Sequence, residues 1–386
     1  MVFDHNFNLD DGSINWGPTE SHREYHRKMF QGFLAQTPQK LRQACCDDEG
    51  RLVHILQAEH FDLPFLEHIC EVTTAARRSY KFASAKMHEM LARKKVLHLF
   101  AQPSSRTFES FTVASSNLGM TSRSLRDLRT SSSAKGESDR DALRTHSSYF
   151  DAIVFRSPCD YFDMFALWVM STSNRPIPII NGGSGKAKHP TQAILDYYTI
   201  RASLERQIDG KSFAFVGDCL RGRTVHSLAK VLALHKDIEM YFVAPEEYQI
   251  DPQTEAYLKK KGVKVNKVTG GLEGIPEIIT GAVYMTRIQD EHDGDGEQKR
   301  YNPRFIFTEK MLDQLQDPAV LMHPLPKREE IYPAIDYRSD RKIMIWREMR
   351  NGMWTRTALF AHIFGFDQEV LRSYHEASKA YAPTPL

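Results

Sequence analysis

The sequence predicts an α/β protein of two domains, each with a mainly parallel sheet flanked by helices. Three observations lead there. The chain has 386 residues, and at ~100–200 residues per domain that length means two domains. From Val96 onward, short apolar runs alternate with helical stretches, the pattern of strands joined by covering helices. The runs are continuous rather than alternating, as in strands buried on both faces. With 41% hydrophobic and 26% charged residues, the composition sets aside disordered, collagen-like and coiled-coil chains.

Each element follows in chain order. Residues 1–20 read as a loose polar arm, and 1–55 together as an N-terminal extension. From Ser21 to about Cys46, the residues Tyr25, Met29, Phe30, Phe33, Leu34 and Leu41 recur at helical spacing. A second helical pattern covers 64–92. The run VLHLF (96–100), followed by a Ser/Arg/Thr turn, reads as a buried strand feeding a helix. Further strands are predicted at 151–155, 177–181, 212–217, 239–244, 263–267, 281–285 and 319–322, with helices between them, as at 191–206 and 223–235. Residues 288–303 are charged and contain glycine, which predicts a long exposed loop. The last helix is predicted at 343–364, ending near Gly365, before a frayed tail at 376–386.

Charge and cysteine usage narrow the function classes. Fifty-one Lys+Arg against 49 Asp+Glu leave a net +2, which gives no electrostatic case for a nucleic-acid partner. No apolar run approaches the ~20 residues that span a bilayer. The opening MVFDHNFNLDDGSINWG has neither a basic n-region nor an apolar core, so no secretory signal is expected. Cys45, Cys46, Cys70, Cys159 and Cys219 are odd in number, form no CxxC and lack zinc spacing. Free thiols in a reducing cytoplasm are predicted, with no metal site.

In open α/β sheets, ligands bind beyond the carboxyl ends of the strands, so the residues following each strand matter most. After VLHLF come Ser104, Ser105, Arg106 and Thr107 at a helix start, where N–H groups, hydroxyls and a guanidinium can hold a phosphate. Taken alone, this start reads rather as ordinary N-capping by Ser104 or Ser105. Arg156 ends the next strand, and in isolation it reads as a surface residue. After 177–181 comes a flexible Asn181-Gly182-Gly183-Ser184-Gly185 loop. His189 and Gln192 follow at a helix start and are able to polarise a carbonyl and to bind an amide. Asp218 reads as a helix or turn cap. Arg223, then Arg287 and Gln289, then His323-Pro324-Leu325-Pro326 follow the later strands. Arg106, Arg156, Arg223 and Arg287 all fall at strand ends, which suits a substrate with several negative charges.

Seven motifs in order make these residues recognisable: SSRT with Ser110-Phe111, SSSAKGES from Ser131, Arg156-Ser-Pro, HPTQ from His189, VGD followed by GRTVHS, MTRIQ from Met285, and HPLP from His323. The chain resembles the aspartate/ornithine carbamoyltransferase family over roughly two thirds of its length. The resemblance implies a carbamoyl phosphate-binding domain at 56–190, completed by a C-terminal helix at 343–370, and an aspartate-binding domain at 191–342, with the active site in the interdomain cleft. It also implies a homotrimer with shared active sites, each completed by a neighbour's loop offering Ser131 and Lys135. Any regulatory partner is left open.

The implied reaction transfers a carbamoyl group from carbamoyl phosphate to L-aspartate, a step of pyrimidine biosynthesis that requires no cofactor. Ser104, Ser105, Arg106, Thr107 and Arg156 would hold the phosphate. Thr107, Arg156 and His189 would stabilise the carbonyl oxygen. Gln192 and the carbonyls of Pro324 and Leu325 would accept from the carbamoyl NH₂. Lys135, Arg223, Arg287 and Gln289 would bind the aspartate carboxylates, and these arginines would repel the ammonium of ornithine. The sequence departs from the family's STRTR…SFE pattern at Ser105, Phe108 and Thr112, and HPLP is followed by Lys327. Phe108 and Thr112 together remove a cation and an anion, which reads as loss of a structural ion pair. A transferase for another acceptor, or a non-catalytic scaffold relative, are the rival readings. The retained phosphate-site residues speak against the scaffold.

Overall fold

The structure is a computed structural model that describes residues 8–126, 136–185, 188–289 and 302–380. It divides into two compact units, one of residues 1–191 with 353–386, the other of 192–352. Among the described residues, no helix is long and apolar enough to cross a membrane.

The first unit carries a four-stranded parallel sheet in the order β2-β1-β3-β4, from β1 (Lys95–Phe100), β2 (Thr121–Leu125), β3 (Ala152–Ser157) and β4 (Ile179–Ser184). Its helices are α1 (Glu20–Leu34), α2 (Pro38–Gln43), α3 (Leu63–Met90), α4 (Ser105–Asn117), α5 (Asp139–Tyr149) and α6 (Phe162–Ser171). Local chemistry starts them where the sequence allows. Asp62 caps α3 by accepting from the Phe65 N–H, with proline in the first turn, and Ser138 caps α5 through the Asp141 N–H.

Four expectations need correcting here. The strand β2, TSRSL, was not predicted: it is a polar edge strand in which Thr121, Arg123 and Ser124 are exposed and only Ser122 and Leu125 are half-buried. The supposed loop at 181–185 is largely strand, because β4 runs to Ser184 and is buried throughout. Asn181 makes this possible by donating to Leu56 O and Ser184 Oγ and accepting from the Gly183 N–H. The arm is not loose over its described part. Leu9, Ile14 and Trp16 are buried, and Trp16 meets Phe165 of α6 edge-on at 5.3 Å. Finally, the chain does not fray at 376. After α12 (Ile345–Ile363) a further helix, α13 (Asp367–Ala380), packs along α3.

The second unit carries a five-stranded parallel sheet in the order β7-β6-β5-β8-β9. Its strands are β5 (Ser212–Val216), β6 (Glu239–Val243), β7 (Lys264–Val268), β8 (Ala282–Met285) and β9 (Val320–Met322). The helices are α7 (Pro190–Ser203), α8 (Arg223–Leu232), α9 (Pro252–Lys260), α10 (Ile275–Ile278) and α11 (Glu309–Gln314). Ala214, Val216, Val283, Met285 and Leu321 form the centre of its core with Phe307.

Both sheets reverse direction once. From β1 the chain steps to β2 on one side, then returns to β3 and β4 on the other. From β5 it steps to β6 and β7, then returns to β8 and β9. The crevices at the carboxyl ends of β1/β3 and β5/β8 are therefore the topological switch points, where a parallel sheet leaves room for a ligand.

Candidate active site

At the first switch point, β1 leads into α4. Ser104 stands at the N-cap with extended backbone, yet its side chain makes no cap hydrogen bond. The capping alternative is thus not what this structure shows for Ser104, and the N-terminus of a 13-residue helix remains open to an anion. Ser105 and Arg106 are exposed, whereas Thr107 is buried.

Arg156 is not a surface residue. It is the fifth residue of β3, only 8% exposed, and its Nη1 donates to Gly182 O at 3.1 Å. Gly183 explains how a guanidinium fits there. A Cβ on Gly183 would lie 2.5 Å from Arg156 Nη1 and 3.6 Å from His189 Cδ2, and the residue has φ +120°. A Cβ on Gly182 would touch Thr107 Cγ2 at 3.6 Å. Thr107, Arg156 and His189 therefore converge on one glycine pair. His189 is buried, and the residue before it is anchored: Lys188 Nζ bonds Asp163 Oδ2 at 2.9 Å, and Gln57 Nε2 reaches the same carboxylate at 2.7 Å. Asp163 and Gln57 were missed in the sequence. The available signal was a single carboxylate inside the apolar run FDMFALWVM, which needs a buried cation or donor.

At the second switch point, β5 is followed by Gly217 and Asp218. Asp218 is fully buried and acts as the predicted turn cap, its Oδ1 accepting from the Arg221 N–H at 2.8 Å. It does more: its Oδ2 accepts from the Gln289 N–H at 3.1 Å, which ties the loop after β8 to the loop after β5. Arg221 Nη1 donates to Gln289 O at 3.0 Å and strengthens that tie. Arg223 opens α8 and is half-buried. Arg287 is half-buried too, and its Nη1 donates to Ile288 O. Arg223, Arg287 and Gln289 thus flank one crevice. Ser131 and Lys135 lie outside the described residues.

Gln192, Pro324 and Leu325 belong to the second unit. Gln192 is buried on the first turns of α7 and donates from Nε2 to Asp196 Oδ1 at 2.9 Å. After β9, His323 is 1% exposed; its Nδ1 accepts from the Leu325 N–H and its Nε2 donates to Glu330 Oε1 at 2.7 Å. Burial, the largest single influence, pushes the Glu330 carboxyl up, but the His323 side chain and the backbone N–H donors, Arg328 N–H among them, together outweigh it and the net direction is downward. Glu330 is therefore held as an anion, and with Nδ1 taken up as acceptor for the Leu325 N–H, it is the Nε2 proton of His323 that faces it. Leu325 itself has φ +57°, a left-handed conformation that costs a non-glycine residue about 1–2 kcal/mol.

Among the described residues, one grouping has the spacing of metal ligands: His68, His362 and Asp367, with ligand atoms within 4.8 Å of one another. It lies on α3, at the end of α12 and at the start of α13 rather than at a strand end, and its members already bond to one another at 2.6 and 3.1 Å.

Comparison with known proteins agrees with this geometry. Residues 53–202 match the aspartate/ornithine carbamoyltransferase carbamoyl-P binding domain, and 209–363 match the Asp/Orn binding domain of the same family. The chloroplastic aspartate carbamoyltransferase of Arabidopsis thaliana is 36% identical over 314 residues, covering 80% of this chain and 77% of that protein. The catalytic subunit of M. jannaschii aspartate transcarbamoylase superposes with a TM-score of 0.69 at 32% identity, covering 81% of this chain and 98% of that one. The Trypanosoma cruzi aspartate transcarbamoylase solved with carbamoyl phosphate and aspartate gives 0.68 at 30% identity, over 80% and 95% of the two chains. With two parallel sheets, cations at both switch points and similarity over four fifths of its length, the chain belongs to the aspartate/ornithine carbamoyltransferase family.

Proposed function

We propose that this chain is a carbamoyltransferase converting carbamoyl phosphate and L-aspartate to N-carbamoyl-L-aspartate and phosphate, in pyrimidine biosynthesis. The observation that carries this reading is the placing of cations at both switch points: an open helix N-terminus with Arg156 at one, Arg223 and Arg287 at the other. The first set suits a phosphate and the second a dicarboxylate, for which the arginine fork is well shaped.

The aspartate amine attacks the carbamoyl carbon, the carbon–oxygen bond to phosphate breaks, and the departing phosphate takes the amine proton. No protein nucleophile or base is needed. Ser104, Ser105, Arg106, Thr107 and the α4 N-terminus bind the phosphate with Arg156. Thr107, Arg156 and His189 stabilise the carbonyl oxygen as charge develops on it, an effect worth about 3–4 kcal/mol per well-placed donor. Gln192 and the carbonyls of Pro324 and Leu325 accept from the carbamoyl NH₂. Arg223, Arg287 and Gln289 hold the aspartate carboxylates. Orientation of the two substrates contributes a further ~7–11 kcal/mol.

The protein is proposed to act as a cytoplasmic homotrimer in which Ser131 and Lys135 of a neighbour complete each site. Five free cysteines and membership of the family support this. Mixing Lys135→Ala and Arg156→Ala protomers, each inactive alone, tests it: restored activity means shared sites, and none means self-contained ones.

The decisive assay supplies purified protein with carbamoyl phosphate and either L-aspartate or L-ornithine. N-carbamoyl-L-aspartate should form, and a phosphonate joined to aspartate should inhibit. Carbamoylation of ornithine in preference, or no product with either, overturns the reading.

A further inference from the structure

The acceptors assigned to the carbamoyl NH₂ rest on a buried network that no step of the reaction uses. Gln192 Nε2 donates to Asp196 Oδ1 at 2.9 Å, and Tyr284 Oη donates to Asp196 Oδ2 at 2.7 Å. Tyr284 is hydrogen-bonded in turn to Thr224. Glu348, on α12, faces Asp196 on one side. On the other, its Oε2 accepts from the His323 N–H at 2.9 Å. His323 then holds the Leu325 N–H on Nδ1. Asp196 and Glu348 are both 0% exposed.

We propose that Asp196, backed by Glu348, is a positioning residue. It fixes the Gln192 amide with its oxygen outward and joins it to the backbone that presents the Pro324 and Leu325 carbonyls. The inference rests on the reading of Gln192 given above and deepens it.

Chemistry forces the orientation. A carboxylate only accepts, so the side of Gln192 facing Asp196 must be its NH₂, and Oε1 is left as the acceptor. A lone glutamine could turn over and present a donor to a carbamoyl NH₂, which would be repulsive. Two ionised carboxylates in contact at zero exposure would be costly. Glu348 Oε1 has no donor aimed at it, and one proton on Glu348, donated to Asp196, removes both difficulties. Burial first, then the Asp196 charge, pushes the Glu348 carboxyl well above the usual range, in keeping with a neutral acid at pH 7. The result is an array of acceptors that discriminates for NH₂ at the carbamoyl carbon, since a site built around one polar pattern rejects the group lacking it.

The test compares Q192A, D196A, the double variant, E348A and E348Q, reading the KM for carbamoyl phosphate, inhibition by inorganic phosphate, and melting. Q192A and D196A should each raise that KM about tenfold. Inhibition by inorganic phosphate should hold within about twofold, because phosphate has no NH₂. The double variant should be no worse than Q192A, the signature of residues acting through one another. E348Q, which can still donate to Asp196 and accept from His323, should recover most of what E348A loses. If Q192A leaves the KM unchanged, the Gln192 contact fails and the inference with it. If Q192A is impaired while D196A is not, or the two add independently, the inference alone is overturned and the contact stands. Should D196A fail to fold, the E348A/E348Q pair decides, together with the infrared stretch of a protonated carboxyl. That band should be present in the wild type at pH 7 and lost in E348Q; its absence from the wild type overturns the shared proton.

Discussion

The first sheet presents one of its cations, Arg156, from within a strand, whereas the second presents Arg223 and Arg287 from the segments that follow its strands and stabilises the backbone of those segments instead. Arg156 is a residue of β3 itself, 8% exposed and tethered to Gly182 O. Arg223 and Arg287 are half-buried on the segments that follow β5 and β8, and what is rigid there is the backbone beneath them, stapled by Asp218 and Arg221. A group meeting the reacting phosphate and carbonyl gains from being fixed before substrate arrives. Side chains gripping the two carboxylates of an amino acid need correct loops more than fixed rotamers. The comparison predicts that damage at the first sheet appears in turnover and damage at the second in aspartate affinity.

The largest effect should come from Arg156→Ala. On the proposed role of Arg156 at the phosphate and the carbonyl oxygen, removing this fixed cation should lower kcat by about 10³, measured as initial rate at saturating substrates. Gly183→Ala sharpens the point without removing any functional group. Its Cβ would stand 2.5 Å from Arg156 Nη1, so the guanidinium must move, and a displacement of about an ångström costs about 10² in rate. A Gly183→Ala enzyme with unaltered kcat would show that Arg156 need not be held. Asp218→Ala removes the staple between the loops after β5 and β8 and should raise the KM for aspartate about tenfold, with the KM for carbamoyl phosphate unaffected. An equal change in both constants would erase the distinction between the sheets.

How far the sequence revealed these regions follows the same division. Buried strands and strand-end arginines were legible because an apolar run followed by Ser, Thr or Arg is a local signal. So was Asp218, which caps its own turn. The edge strand β2 was not, since TSRSL carries no apolar signal and is a strand only because β1 pairs with it. Nor was the strand through Gly182 and Gly183, where glycine signals a loop but serves here to admit Arg156. The arm's anchors Leu9, Ile14 and Trp16 were diluted by polar neighbours. Asp196 and Glu348 each sit on a helix whose pattern gives no hint of a second acid arriving from far along the chain.

A comparison within the first unit predicts a smaller effect, on stability. Asp367 ties α13 to α3 and α12, with Oδ2 bonded to His68 Nε2 at 2.6 Å and His362 Nδ1 at 3.1 Å. The Asp367 hydrogen bond holds His68 above its ordinary value of 6.5. Burial would raise Asp367, but its bonds to His362 and His68 outweigh that and hold it below 3.8. The contribution of His68 is thus full below about pH 6.5 and fades as pH rises through its raised value, while that of Asp367 is full above about pH 4 and fades as pH falls. The clamp is strongest in mildly acidic solution. Melting temperatures of the wild type and Asp367→Asn across pH 5–9 should converge as pH rises; parallel curves would mean that the triad does not titrate with unfolding.

The smallest effect concerns the departures at Phe108 and Thr112. The structure shows what replaced the family's charged pair. Phe108 packs edge-on against Phe100 at 5.4 Å and His98 at 5.8 Å, with the Arg126 guanidinium 4.6 Å above its ring. Thr112 Oγ1 donates to Phe108 O at 3.0 Å and lies 3.3 Å from His98 Nδ1. Burial pushes His98 down to about 4, so at neutral pH it is an uncharged neighbour. Restoring Arg at 108 and Glu at 112 would create an i,i+4 pair worth about 0.3 kcal/mol, against ring contacts of about 0.5–1.5 kcal/mol each. The double variant should therefore be less stable by about 1 kcal/mol while its kcat stays within about twofold, since neither residue is assigned to the phosphate or the carbonyl. A large gain in rate would mean that the lost charges belonged to the chemistry, and that the open N-terminus of α4 with Arg156 is an incomplete phosphate site.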